Sequence, residues 1–89
     1  MPRAFMLSQN HPNPFNAATR IEFALADDGW VKLEIYDVLG QRVQTLVDEN
    51  RPAGRYSVEF NPASLASGVY FYRLTAGDFA ETKKMILMK

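Results

Sequence analysis

Ile21, Phe23 and Leu25 alternate with Arg20, Glu22 and Ala24, and the beat returns as Val31, Leu33 and Ile35 set against Lys32 and Glu34. Successive side chains of an extended strand point to opposite faces, so a period of two demands strands with one buried and one wet face. Tyr56, Val58 and Phe60, set against Arg55, Ser57 and Glu59, repeat it again. Such runs recur roughly every ten residues between clusters of Gly, Pro, Asn and Asp, the rhythm of an all-β sandwich or barrel.

The remaining segments fill in about seven strands. A short first strand is expected within Phe5–Ser8, followed by an ordered loop, Asn10-His11-Pro12-Asn13-Pro14-Phe15-Asn16, in which prolines fix φ and asparagines make Asx turns. Asp27-Asp28-Gly29 is turn chemistry. Asp37 to Gly40 is a short loop whose glycine suits positive φ, leading into a hairpin partner, Gln41 to Val47. The period of that partner is poor, because Val43 and Leu46 stand three apart; a bulge or a helical turn accounts for this equally well. Pro52-Ala53-Gly54 opens the strand that carries Tyr56. Gly68 to Leu74 is apolar on both faces for most of its length and is expected in the middle of a sheet. Gly77-Asp78 then reads as a two-residue hairpin into a last strand, Phe79 to Met88.

Eighty-nine residues with no internal linker make one domain, and a second core would have too few residues. Ten basic and ten acidic side chains cancel, so no whole-chain field draws in nucleic acid. There is no cysteine, which removes disulfides and thiol chemistry. No stretch is apolar and long enough to serve as a secretory signal or to span a bilayer. Residues 1–6 are expected to be a linker remnant or an expression remnant, with Met1 supplied for expression and any export signal elsewhere.

Leu65, Gly68, Tyr70 and Tyr72 are spaced like the tyrosine corner of immunoglobulin domains, with Tyr72 standing where antibody domains place their second cysteine. This favours an immunoglobulin-like antiparallel β-sandwich over a barrel, with Tyr70, Tyr72 and Leu74 facing the core.

Catalytic constellations are missing. The one histidine, His11, lies in the Pro-Asn loop, and no serine has a nucleophile-elbow context, so the chain is read as non-catalytic. Asp27-Asp28 and Asp48-Glu49 lack the alternating oxygen ligands of a calcium loop and are read as solvated turns; no metal or cofactor is expected. The aromatics are mostly in register with other apolar residues and belong to the core. Trp30 is the exception, standing at a turn-to-strand junction. Exposed beside Tyr36, it would offer a glycan-stacking platform; otherwise it packs over one end of the sandwich. The tail, Glu81 to Lys89, is charged and then apolar. It is either an ordinary edge strand whose lysines discourage pairing or a strand displayed to a receptor.

Several segments in order resemble one known family: Leu7 to Asn16, Val31 to Gly40, Pro52-Ala53-Gly54, Leu65 to Leu74, and Thr82-Lys83-Lys84-Met85. Together they are similar to type A C-terminal sorting domains of the type IX secretion system, and the resemblance runs from Leu7 to Lys89. Portions around Ile35-Tyr36-Asp37 and Gly68 to Tyr72 are shared with the immunoglobulin-like domain of flagellar hook-capping proteins; the lysine-bearing tail argues for sorting. The resemblance implies a folded export address, attached to an N-terminal cargo protein and recognised by the outer-membrane translocon. A sortase-like peptidase commonly removes such domains, and the cargo passes the periplasm on its way to the surface. Carried over by position, the recognition residues would be Pro12, Asn13, Pro14, Gly68, Tyr70, Lys83, Lys84 and Lys89. Ala17 departs from the pattern, standing where many relatives have a further proline. A monomer is expected. The competing readings are a glycan-binding module centred on Trp30 and Tyr36, and an inert spacer.

Overall fold

The computed structural model describes residues 4–62 and 64–89. The strands are seven, β1 (Met6–Leu7), β2 (Thr19–Leu25), β3 (Gly29–Tyr36), β4 (Arg42–Arg51), β5 (Gly54–Phe60), β6 (Gly68–Ala76) and β7 (Phe79–Leu87), of which β2, β3 and β5 are the alternating runs. They form two antiparallel sheets, β1-β2-β5 and β4-β3-β6-β7, and no helix occurs among the described residues. With β4 joined to the sheet of β3, β6 and β7, the order matches an immunoglobulin-like sandwich whose fourth strand has changed sheets.

Ile21, Phe23 and Leu25 of β2 and Val31, Leu33 and Ile35 of β3 point between the sheets and are buried, with Phe60, Tyr72, Leu74, Met85 and Leu87 filling the same layer. Each such side chain contributes roughly 1.5–3 kcal/mol by leaving water. Strand β6 pairs with β3 on one side and β7 on the other, as expected for the middle of a sheet; Tyr70, Tyr72 and Leu74 enter the core while Val69, Phe71 and Thr75 on the other face are half-buried.

The irregular run after Gly40 resolves into bulges. Leu33 and Glu34 face Val47 and Thr45, and Ile35 and Tyr36 face Gln44 and Arg42. Leu46 and Val43 are therefore the extra residues, the same two that broke the period. The strand also runs on to Arg51, beyond the expected end at Val47. Asp37 holds the preceding loop, its Oδ1 accepting the amides of Leu39 and Gln41 at 2.9 and 3.0 Å while Gly40 takes φ +80. Gly77, at φ +58, turns β6 into β7.

Phe5 and Met6, expected in a linker remnant, pack with the sandwich. Phe5 stacks on Phe79 with ring centroids 5.5 Å apart, and Met6 pairs with Ala24. Residues 1–3 lie outside the described residues.

Candidate recognition surface

The Pro-Asn-Pro loop and the terminal strand, far apart in sequence, are joined along the free edge of β7. Gln9 Nε2 donates to the Lys84 carbonyl at 2.7 Å, and the Ile86 amide donates to Asn13 Oδ1 at 2.9 Å. Beyond them the Phe15 amide donates to the Ile86 carbonyl at 3.0 Å and the Met88 amide to the Phe15 carbonyl at 2.8 Å, a short parallel bridge. The Lys89 amide donates to Ser67 Oγ at 3.0 Å. The outward backbone groups of an edge strand invite pairing with another chain, and here the loop occupies those from Lys84 to Met88.

The loop holds its shape through a buried polar network. Asn10 is 2% exposed; its Nδ2 donates to Thr19 Oγ1 at 3.0 Å and to the Pro12 carbonyl at 3.2 Å, and Thr19 Oγ1 donates to the same carbonyl at 2.8 Å. The Tyr72 hydroxyl, deep in the core, donates to the Ser8 carbonyl at 2.6 Å and accepts the Asn10 amide at 2.8 Å. Burial pushes this hydroxyl up to about 12, the Asn10 amide opposing and the Glu81 charge adding to the rise. A hydrogen bond thus ties strand to loop at the position where antibody domains carry a cysteine. Phe15, also buried, anchors the loop by packing on Phe60 at 6.2 Å.

Gly68 and Tyr70 shape the corner. Gly68 takes φ +152, a conformation side chains other than glycine rarely adopt, and the Tyr70 hydroxyl donates to the Ala66 carbonyl at 2.7 Å. That bond is the tyrosine corner expected from the spacing. With Tyr70 8% exposed, little of it is presented to a partner.

The two adjacent lysines part company. Lys83 is the cross-strand partner of Tyr72 and shares its core-facing side, lying partly covered and ion-paired to Glu81 at 3.2 Å. Lys84 partners Phe71 on the outer face and is exposed. The register extends this row to Lys84, Phe71, Tyr36 and Arg42. Tyr36 donates to Glu34 Oε1 at 3.1 Å, and burial together with that acidic acceptor raises its pKa. Pro12, Pro14, Phe15, Asn16 and Met88 line a concavity of about 550 Å³ along the seam between loop and tail.

Trp30 is 56% exposed and sits at the opposite end of β3 from Tyr36. Six residues of extended strand separate them, about 20 Å, so they share a face without forming one stacking platform. The indole Nε1 donates to Asp48 Oδ1 at 2.7 Å.

Sequence reasoning singled out Asn13 and the lysines but missed Gln9 and Ile86, which join loop to tail, and Thr19, which braces the loop through Asn10 and the Pro12 carbonyl. Ile86 reads as one more apolar residue of a strand, and its backbone partner carries no composition signal. Among the described residues no three His, Asp or Glu side chains gather into a metal-holding group, and no helix is long and apolar enough to cross a membrane.

Searches of curated proteins and of solved structures find no match to the chain. One family profile, the secretion system C-terminal sorting domain, matches residues 10–88, which include the Pro-Asn-Pro loop, the tyrosine corner and most of the tail. With nearly its whole length covered, the chain belongs to the family of type IX secretion C-terminal sorting domains, the sorting signals of proteins exported to the cell surface or beyond.

Proposed function

We propose that this domain directs an attached cargo protein across the periplasm and through the outer-membrane type IX translocon, and that the seam between the Pro-Asn-Pro loop and the tail is the surface the translocon reads. The observation that carries this reading is the set of hydrogen bonds from Gln9, Asn13 and Phe15 to Lys84, Ile86 and Met88. They gather the loop and tail candidates from both ends of the chain into one folded unit. In this reading Pro12, Pro14, Lys84 and Lys89 supply the contacts. Asn13 holds loop to tail, and Gly68 and Tyr70 act by supporting the corner. Lys83, turned toward Glu81, contributes less than Lys84. A sortase-like peptidase is the second partner, acting on the junction with the cargo, and the domain itself performs no chemistry.

The reading is tested by fusing residues 1–89 to a foreign protein behind an ordinary N-terminal signal, in a host with an active type IX system. Arrival of the reporter at the cell surface supports it. Periplasmic retention of a fusion whose domain is folded overturns it.

A further inference from the structure

At the end of β7 away from the loop, a groove of about 650 Å³ opens between the β2–β3 and β6–β7 turns. Phe5, Trp30 and Phe79 supply aromatic surface, and Asp27, Asp28 and Asp78 stand around it. The Phe5–Phe79 stack makes one wall; the exposed Trp30, held by Asp48, makes another.

The chemistry of the lining selects its occupant. The only side-chain donor in it is the Trp30 indole N–H, which already serves Asp48. A carboxylate at neutral pH accepts hydrogen bonds and does not donate them, so the side chains offer acceptors and π faces alone. A sugar hydroxyl both donates and accepts, whereas a guanidinium has five donors, no acceptor, and flat faces that stack on aromatic rings. The charge agrees: the lining has three carboxylates and no cation. Among the described residues none of the ion pairs involves Asp27, Asp28 or Asp78; only Asp28 is engaged, accepting the Ala53 amide at 2.7 Å.

We propose that this groove docks an arginine side chain of an extended peptide segment, the guanidinium stacking on Trp30 and bonding to Asp27 and Asp78. It is a second contact surface, separate from the loop and tail.

Trp30 is the sole tryptophan of the chain, so its fluorescence reports on the groove directly. The intact 89-residue domain is titrated with acetyl-Gly-Arg-Gly-amide, with the matching citrulline peptide, which has the same shape without the charge, and with neutral oligosaccharides. The expected result is a saturable change with the arginine peptide alone, weakened at least severalfold by raising salt from 10 mM to 300 mM. Asp27→Asn and Asp78→Asn should each weaken it by about fivefold. Equal binding of the citrulline peptide, a saturable response to sugar in place of peptide, or no response to the arginine peptide overturns the proposal.

Discussion

The side-chain carbonyl of Asn13 accepts the backbone amide of Ile86 at 2.9 Å, so a loop near one end of the sequence closes the edge of the strand near the other. If the translocon reads this seam, the address is a property of the fold and not of the tail as a peptide. Its parts can be separated by substitution.

Asn13→Ala removes that acceptor from a solvent-accessible bond and should cost about 1 kcal/mol. Faster hydrogen exchange at the Ile86 amide, with β2 and β3 amides still protected, is the expected signature. Unchanged exchange at Ile86 would mean that Phe15 alone seals the edge.

Met85 and Leu87 are fully buried although they lie in the tail. Met85→Ala or Leu87→Ala should lower stability by about 2–5 kcal/mol in urea unfolding. Lys84→Ala on the outer face should change it by less than about 0.5 kcal/mol. Deleting residues 83–89 should unfold the domain, so loss of export on truncation cannot by itself identify the tail as the signal.

The Tyr72 hydroxyl, ordinarily at 10.0, is raised to about 12 in the fold. Because the neutral form is favoured by folding, its contribution is complete below pH 10 and is lost as pH rises from 10 through 12. Tyr72→Phe should abolish this part of the alkaline fall. At neutral pH the variant should be less stable by about 1–3 kcal/mol, with the Ser8 carbonyl and Asn10 amide left without their partner. Parallel stability curves for the two proteins between pH 9 and 12 would contradict the assignment.

Gly68→Ala meets no steric obstacle but must adopt φ +152, which should cost about 1–3 kcal/mol. Tyr70→Phe, losing the bond to the Ala66 carbonyl, should cost about 1 kcal/mol. If the corner only supports the fold, export of both variants should track the folded fraction measured by circular dichroism. Loss of export from a fully folded Tyr70→Phe would instead give the hydroxyl a direct role.

Burial on alternate residues made the sandwich legible: the apolar beats of β2, β3 and β5 locate the core, and Leu65, Gly68 and Tyr70 announce the corner. Where strand β4 lost its period, the sequence left bulge and helical turn equally open, and only pairing with β3 identifies Val43 and Leu46 as the extra residues. The proposed recognition surface was half legible. The residue types of the Pro-Asn-Pro loop and of the lysines stand out, but their union runs through backbone groups at Lys84, Ile86 and Met88, which leave no trace in side-chain composition. Adjacent Lys83 and Lys84 look like one patch in sequence, yet the strand period sends them to opposite faces. Trp30 and Tyr36 share a face but stand a strand's length apart.

The most direct test is surface delivery of a reporter carrying this domain, compared with the same fusion bearing Lys84→Glu and Lys89→Glu, both shown folded by circular dichroism. If the translocon reads the seam of loop and tail, the unaltered fusion reaches the surface and the folded charge-reversed one stays in the periplasm. Full export of the folded variant would contradict the account.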